Sequence, residues 1–426
     1  MHLAVFWLGT GNHAAGWRME GAWDNSCSWP TLEAGARTAE RGKFDLFFIS
    51  DSLASLDNDH PSFQTRFEPT TAVAALSIAT RRVGLGATVS TSFSEPFTVA
   101  RTFQTLQHLS QGRVAWNVVT SSSDHAARNY GREGHFAHDE RYAIASEFVD
   151  VVRGLWNTWD EGAGVRCKTT GVYVDPARVR ALDHKGRYFQ VRGPLNIERS
   201  AHGHPLIIQA GGSEPGQELS ARTADIVFSV VNGDQAAARA AYGALKARLA
   251  KYGRAPDDMA ILPGVMPIIG RSDGEAKAQL DRLQSWLSAT NALALVSNRI
   301  GHDISGYPLD APVPELPLSN NSRSFAQTLL ELARRENMTL RDLYNITAAA
   351  RGHWVIYGTP QRIADIMEEW FRRGLADGFM ILPAYFPGAF NDFVDLVVPE
   401  LQRRGLFRTD YAGSTLREHL RQGAAA

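Results

Sequence analysis

The sequence contains little cysteine, with Cys27 and Cys167 as the two thiols among 426 residues. Two thiols are too few for a disulfide-rich scaffold or for a four-thiolate zinc site. A low cysteine content also fits the reducing environment of the cell interior. We therefore expect a cytoplasmic protein.

The sequence also lacks an excess of charge of either sign. It has 44 Lys and Arg against 45 Asp and Glu, a formal net charge of −1. Nucleic-acid binding requires concentrated positive charge, so we expect no nucleic-acid partner. No apolar run approaches the roughly 20 residues that span a bilayer, and residues 1–8 lack the basic segment of a signal peptide. We expect no membrane span and no signal peptide.

The sequence does contain short apolar runs that alternate with longer segments of helical periodicity. The length allows either several domains or one large barrel. Eight strand-helix units of this kind predict an α/β fold, a (β/α)8 TIM barrel. An open sheet with an extra edge strand would show the same number of strands and is the alternative. The eight runs have the pattern of strands buried on both faces and cover residues 3–8, 44–50, 83–91, 114–120, 206–210, 226–231, 261–269 and 379–382.

Two stretches break this alternation. Residues 158–205 are rich in Lys and Arg, which indicates a solvated face, and within them residues 187–191 have the composition of an extra strand. Residues 290–324 contain four prolines followed by Ser-Asn-Asn-Ser, which predicts an irregular insertion near the mouth of the barrel. We expect one domain over residues 1–426, with insertions at about 158–205 and 290–350.

Two segments predict sites for an anion. His138 stands at the start of a helix predicted over 139–156, with Tyr142 one turn later on the same face. A helix N-terminus offers unpaired N–H groups and partial positive charge to a phosphate. Gly211, Gly212 and Ser213 follow the fifth strand and open the next helix, where glycines allow close backbone approach. Ordinary capping and a tight turn are the alternatives that this pattern leaves open.

Polar residues also stand where predicted strands end. They are Asp51, Thr88, Asn117 and Thr120, and in a (β/α)8 barrel the carboxyl ends of the strands carry the active site. With two anion sites, they predict a mouth that holds a phosphorylated cofactor. His13 follows the first strand at the same end, where it has either a catalytic or a structural role.

Other chemistries are less well supported. Residues 84–89 lack the third glycine of a dinucleotide fingerprint. His202 and His204 have a metal-binding spacing but precede a strand, at the end of a barrel opposite its active site. His135 and His138, followed by two acidic residues, leave a metal-dependent barrel hydrolase open as a third hypothesis.

Several sequence blocks together resemble the bacterial-luciferase-like flavin monooxygenases. The resemblance is to the subgroup of nitrilotriacetate monooxygenase, pristinamycin synthase and dibenzothiophene sulfone monooxygenase, and it covers about residues 3–420. Residues 17–20, Trp-Arg-Met-Glu, depart from the Trp-Arg-His-Pro common in relatives. The blocks are 40–53 (ERGKFDLFFISDSL), 112–121 (GRVAWNVVTS), 138–142 (HDERY), 209–213 (QAGGS) and 393–409 (FVDLVVPELQRRGLFRT).

The resemblance implies a luciferase-like barrel that uses FMN as FMNH2. It implies a separate NAD(P)H:flavin reductase and O2 as partners, a small organic substrate containing nitrogen or sulfur, and a homo-oligomer. The alternative to an enzyme function is a non-catalytic flavin-binding barrel. The resemblance assigns no catalytic residue and no metal, and Gly212 stands where many relatives have a second serine. The implied cofactor-binding residues are Asp51, Thr88 and Asn117 at the flavin ring and His138, Tyr142, Gly212 and Ser213 at the phosphate.

Overall fold

The structure is a computed structural model that describes residues 1–55, 60–316 and 323–421. Within these ranges the chain forms eleven strands, most of them parallel and almost fully buried. They are β1 (His2–Trp7), β2 (Leu46–Ile49), β3 (Gly84–Ser90), β4 (Val114–Val119), β5 (His184–Lys185), β6 (Gln190–Val191), β7 (Leu206–Gln209), β8 (Ile226–Ser229), β9 (Ala260–Ile269), β10 (Trp354–Gly358) and β11 (Gly378–Ile381).

Eight of these strands close into a parallel barrel. They pair in the order β11, β1, β2, β3, β4, β7, β8 and β9, and β9 returns to β11. The predicted (β/α)8 TIM barrel is therefore confirmed, and each predicted run overlaps one barrel strand. The sequence did not predict β10, which pairs in parallel with the second half of β9, from Val265 to Ile269.

Sixteen α-helices occur in the described residues, and most of the longer ones surround the barrel. Several begin with a proline at their first position, where the missing N–H costs no hydrogen bond. They are α1 (Trp29–Arg41), α2 (Pro61–Gln64), α3 (Pro69–Ala79), α4 (Pro96–Leu109), α5 (Asp124–Asn129), α6 (His138–Trp156), α7 (Glu214–Thr223), α8 (Gln235–Arg248), α9 (Asp273–Ser285), α10 (Ala289–Ile300), α11 (Arg323–Arg335), α12 (Leu340–Ala350), α13 (Pro360–Arg372), α14 (Gly388–Asp392), α15 (Val398–Arg403) and α16 (Leu416–Arg421).

The strands separate two hydrophobic layers, because successive strand residues point to opposite faces. Phe6 and Phe48 point into the barrel, with ring centroids 5.1 Å apart. Trp116 points outward between Phe103 on α4 and Phe148 on α6, at 5.7 and 5.8 Å. Each such buried side chain contributes about 1.5–3 kcal/mol, so both layers hold the strand ends in fixed positions.

The first irregular stretch contains a short hairpin. The strand expected over 187–191 was too long, since only Gln190–Val191 is a strand, antiparallel to His184–Lys185. Glu147 on α6 explains the difference because its carboxylate accepts the backbone N–H groups of residues 187, 188 and 189 at 2.9–3.1 Å. Those N–H groups are therefore bound to a side chain and do not join a ladder.

The second irregular stretch is more helical than expected. The prediction of an irregular insertion over 290–324 was wrong for its first part, which α10 occupies. Leu293, Val296 and Ile300 recur at helical spacing and pack with residues of α11 and α12 into a separate cluster. Residues 317–322, with the last proline, lie outside the described residues. In the ranges described, no helix is long and apolar enough to cross a membrane.

Candidate functional site

One side of the barrel mouth is lined by hydroxyl and amide groups, which we call the polar wall. Thr88 on β3 and Asn117 on β4 stand opposite each other in register and point inward. Thr88 Oγ1 donates to the carbonyl of Ile49 at 2.9 Å, and Asn117 Nδ2 donates to Thr88 Oγ1 at 3.0 Å. Asn117 Oδ1 and Ser50 Oγ are buried and find no hydrogen-bond partner among the described residues. The polar wall therefore presents acceptor and donor atoms to a ligand in the mouth.

Asp51 lies directly beyond β2, next to the polar wall. Its carboxylate accepts the N–H of Ser52 at 2.7 Å and is half-buried. Burial raises the pKa of Asp51, and the Ser52 N–H and nearby Arg66 only partly oppose this. Thr120, just beyond β4, accepts a hydrogen bond from Ser92 through its carbonyl. Asp51 is thus a carboxylate of raised basicity at the edge of the mouth.

The two predicted anion sites form one site. His138 is the first residue of α6, and its ring centroid lies 5.1 Å from that of Tyr142. The hydroxyl of Tyr142 reaches the glycine turn after β7, because a Cβ built on Gly211 or on Gly216 would lie 2.9 Å from it. The close approach requires glycine at both positions, and it brings the Tyr142 hydroxyl to the N-terminus of α7.

Ser213 stands at the N-cap of α7, but its side chain makes no capping bond. Its Oγ is buried without a partner among the described residues. The adjacent Gly212 is exposed, and its carbonyl accepts from the side chain of Gln217 at 2.9 Å, which fixes the turn. Arg248 binds the exposed carboxylate of Glu214 at 2.6 Å and so offsets part of its negative charge. An orphan hydroxyl, free helix N–H groups and the Tyr142 hydroxyl form a donor set suited to a phosphate.

The other side of the mouth is aromatic and basic, and we call it the basic wall. Its two basic side chains come from the connection between α12 and β10. The guanidinium of Arg351 lies 4.2 Å above the ring of Phe6, and Nη2 donates to Asn12 Oδ1 at 3.1 Å. His353 stacks on Phe228 at 4.8 Å with a 12° tilt. Sequence reasoning missed these two residues because β10 was not predicted.

His13 is fully buried at the same end of the barrel. Its Nδ1 accepts the N–H of Ala15 at 3.1 Å, and its Nε2 finds no partner among the described residues. Burial lowers the pKa of His13 to about 3, and burial together with Arg351 lowers the pKa of His60 to about 3. Both imidazoles are therefore neutral at physiological pH.

Comparison with known proteins identifies the family. The model of the family described as luciferase-like monooxygenase matches residues 5–377. The chain belongs to this family. It is thus a monooxygenase, and the resemblance of its sequence blocks is confirmed.

Several relatives of this luciferase-like monooxygenase match along nearly its whole length. N-acetyl-S-(2-succino)cysteine monooxygenase of Bacillus subtilis is 46% identical, over 98% of this chain and 95% of its own. Nitrilotriacetate monooxygenase component A of Aminobacter aminovorans is 43% identical, over 99% and 96%. A crystal structure of riboflavin lyase with modified FMN and riboflavin superimposes with a TM-score of 0.89 at 28% identity, covering 99% and 95%.

Three of the four histidines that suggested a metal are engaged in other contacts. His204 stacks near Trp156 at 5.9 Å and lies 2.9 Å from Asn157 Oδ1. His135 packs at 4.9 Å against Phe93, and His138 Nδ1 lies 2.9 Å from its neighbour's carboxylate. Across residues 1–55, 60–316 and 323–421, no three His, Cys, Asp or Glu side chains group to hold a metal ion.

Sequence reasoning also did not single out Gln209, which lies beside the glycine turn. It ends β7, and its Nε2 is buried without a partner in the described part of the chain. A polar residue at a strand end immediately before Ala-Gly-Gly-Ser was the available signal. Gln209 therefore adds a further unsatisfied donor close to the glycine turn.

Proposed function

We propose that this chain is the oxygenase component of a two-component system that uses FMNH2. A separate NAD(P)H:flavin reductase would supply the reduced flavin, and a small organic substrate containing nitrogen or sulfur would be oxygenated with O2. The names of two relatives, one a component A and one acting on a thioether acid, support this assignment. Reduced FMN, when bound, supplies the electrons that activate O2.

The observation that carries the proposal is the single anion site. Tyr142, the N-termini of α6 and α7, and the unpartnered Ser213 hydroxyl converge on the turn at Gly211 and Gly212. These donors fit the phosphate of FMN, since a dianion satisfies buried donors that protein groups leave unmet. His138 would orient Tyr142 through the contact between their rings.

The polar wall fits the ring of the same cofactor. Thr88 and Asn117 would meet the polar edge of the isoalloxazine, with Asp51 at its border. The mouth is otherwise lined by buried aromatic side chains, such as Phe6 and Phe228, which exclude water from the reacting atoms. These side chains therefore hold and shield the ring.

The architecture proposed for this function is one domain with two insertions, at about 158–205 and 290–350. The second insertion would bear on substrate choice, since the N–H of Ala14 in the mouth donates to the carbonyl of Ala348 on α12 at 3.1 Å. We propose a homo-oligomer as the assembly.

The phosphate requirement tests the flavin assignment. Anaerobic fluorescence titration should give tighter binding of FMNH2 than of reduced riboflavin, which lacks the phosphate. Ser213→Ala should reduce the difference in affinity between FMNH2 and reduced riboflavin, because it removes one hydroxyl donor to the phosphate. Equal affinity for the two flavins would contradict the assigned site.

Oxygen incorporation tests the reaction. The chain would be mixed with FMN, NADH, a flavin reductase, 18O2 and a panel of the compounds named for its relatives. One labelled oxygen atom should appear in product only when flavin and reductase are both present. Turnover without flavin would overturn the proposal.

A further inference from the structure

The cofactor proposed above would occupy two sites that different parts of the chain build. The polar wall lies on β3 and β4, and the anion site lies at the starts of α6 and α7. Residues 120–137, which include α5, join β4 to α6. A surface connection of this length does not by itself fix the distance between its ends, and the packing contact of Phe148 with the barrel lies further along α6. A contact that bypasses the connection would hold the start of α6 at one distance from the polar wall.

Arg141 makes such a contact. It stands near the start of α6, between His138 and Tyr142 of the anion site, and is 2% exposed. Its Nη1 donates to the carbonyl of Ser121 at 3.0 Å. Ser121 lies two residues beyond the end of β4, the strand that carries Asn117. This hydrogen bond therefore joins the start of α6 directly to the end of a strand of the polar wall.

Ser121 has an unusual backbone conformation that hydrogen bonds hold in place. Its φ is +53°, in the left-handed region, where a residue with a Cβ has a higher free energy than glycine. Its Oγ donates to Ser90 Oγ on β3 at 2.9 Å, and Ser90 Oγ also accepts the N–H of Ser92 at 3.3 Å. Glycine would relieve the backbone but would lose the hydroxyl. Ser121 is thus bound to β3 on one side and to α6 on the other.

Further hydroxyl groups tie the ends of β3 and β4 together. Thr91 Oγ1 donates to the carbonyl of Val119 at 3.2 Å, and Ser92 Oγ donates to the carbonyl of Thr120 at 2.7 Å. These bonds continue the pairing of the two strands beyond its last register pair. The chain at Ser121 is therefore fixed to both strands, and the carbonyl that α6 binds has a defined position.

We propose that Arg141 is a positioning residue that sets the spacing between the polar wall and the anion site. The inference rests on the proposed function, because FMN is the ligand that would occupy both sites at once. FMN carries its ring and its phosphate on one ribityl chain, so both ends bind well only when the two sites are correctly spaced. Arg141 would thereby raise the affinity for the whole cofactor without contacting it.

The charge of Arg141 gives the competing explanation. After burial, Arg141 is the next cause that lowers the pKa of His135, to about 4, so its charge acts on the residues around it. A cation beside the anion site would also attract a phosphate. Binding measurements separate the two effects, because charge attraction requires the phosphate alone, whereas spacing requires the ring and the phosphate in one molecule.

Titrations of the full chain with FMN, riboflavin and inorganic phosphate test this proposal. Fluorescence quenching measures the two flavins, and phosphorus NMR measures phosphate. Arg141→Met should weaken FMN binding by about tenfold, while the Kd values for riboflavin and for phosphate stay unchanged. Arg141→Lys, which retains one donor for the Ser121 carbonyl, should weaken FMN binding less. Arg153→Met, at an exposed position of α6, is the matched control and should bind FMN like wild type.

Ser121→Ala tests the same contact from its other side. Alanine keeps the Cβ but removes the hydroxyl that donates to Ser90, so the carbonyl that Arg141 binds is held less firmly. FMN binding should weaken by a smaller factor than in Arg141→Met, with riboflavin binding unchanged. This variant decides the question if circular dichroism shows that Arg141→Met does not fold.

The outcomes separate this proposal from the proposed function. Unchanged FMN affinity in Arg141→Met, or in Ser121→Ala where Arg141→Met does not fold, would overturn it. An equal loss of phosphate affinity would make Arg141 a phosphate ligand, and an equal loss of riboflavin affinity would make it a support of the ring site alone. Either result also overturns the proposal. Failure of wild type to bind FMN more tightly than riboflavin would instead overturn the proposed function.

Discussion

Gly211→Ala should weaken FMN binding by acting through Tyr142. The added Cβ would lie 2.9 Å from the Tyr142 hydroxyl and 3.0 Å from Gly216 Cα, both closer than ordinary contact. Gly211 does not have a positive φ, so alanine fits its backbone. The Tyr142 hydroxyl must therefore move away from the turn, and the proposed phosphate site loses one donor. A hydrogen bond to a charged group contributes about 1.5 kcal/mol, roughly tenfold in Kd.

A double-mutant cycle with Tyr142→Phe tests the cause. Phenylalanine lacks the hydroxyl that the new Cβ would meet, so Gly211→Ala should weaken FMN binding much less in the Tyr142→Phe background. The coupling free energy between the two substitutions should be about 1 kcal/mol. FMN fluorescence quenching measures all four Kd values. Gly243→Ala on α8, where an added Cβ meets nothing within 4 Å, is the matched control. Strictly additive effects, or unchanged affinity in Gly211→Ala, would refute the reasoning.

Three further changes have defined outcomes. His13 and His60 are neutral in the folded chain but become protonated below pH about 6.5 when it unfolds. As pH falls from 6 to 4, the free energy of unfolding should therefore fall by up to about 1.4 kcal/mol per pH unit for each histidine. His13→Asn should flatten this slope in urea titrations. Asp51→Asn should raise Tm at pH 7 while weakening FMN binding, since the raised pKa of Asp51 means that its ionised form lowers folded-state stability as pH rises. Glu147→Gln should lower stability by about 1–2 kcal/mol and expose residues 158–205 to proteolysis, because it weakens the acceptor of three backbone N–H groups.

Exposed residues of the same type provide the controls for these variants. His125→Asn should leave the pH slope unchanged, Asp257→Asn should leave FMN affinity unchanged, and Glu161→Gln, within the first insertion, should leave proteolysis unchanged. An unaltered slope in His13→Asn, a lower Tm in Asp51→Asn, or a protease-resistant Glu147→Gln would each contradict the physical cause assigned above.

The barrel could be predicted from sequence because its strands are buried on both faces. Such strands read as continuous apolar runs, and all eight were found. The strand β10 was missed because three of its five residues are only partly buried and the strand pairs outside the ring, along the second half of β9. The helix α10 was missed because the prolines beyond residue 307 led us to interpret the whole stretch as irregular, although its first part has helical spacing.

The site was predicted in parts, and its assembly was not. His138, Tyr142 and Ser213 were each identified from local helix-start patterns, but their meeting depends on the long-range approach of Tyr142 to Gly211. No local pattern marks Arg351 or His353, since a single basic residue near a glycine is common. Their importance depends on which rings lie beneath them, which only the folded chain establishes.

The strand β10 also determines which part of the mouth is free to diverge. Pairing from Trp354 to Gly358 with β9 anchors the chain immediately after His353 to the barrel itself. The polar wall and the proposed anion site, by contrast, lie at the ends of β2, β3, β4 and β7 and at the start of α6. Substitutions at Arg351 or His353 would therefore change the basic wall while leaving the proposed cofactor contacts intact. The fold thus builds the two sides of the mouth from separate parts of the chain, so that one side can change without the other.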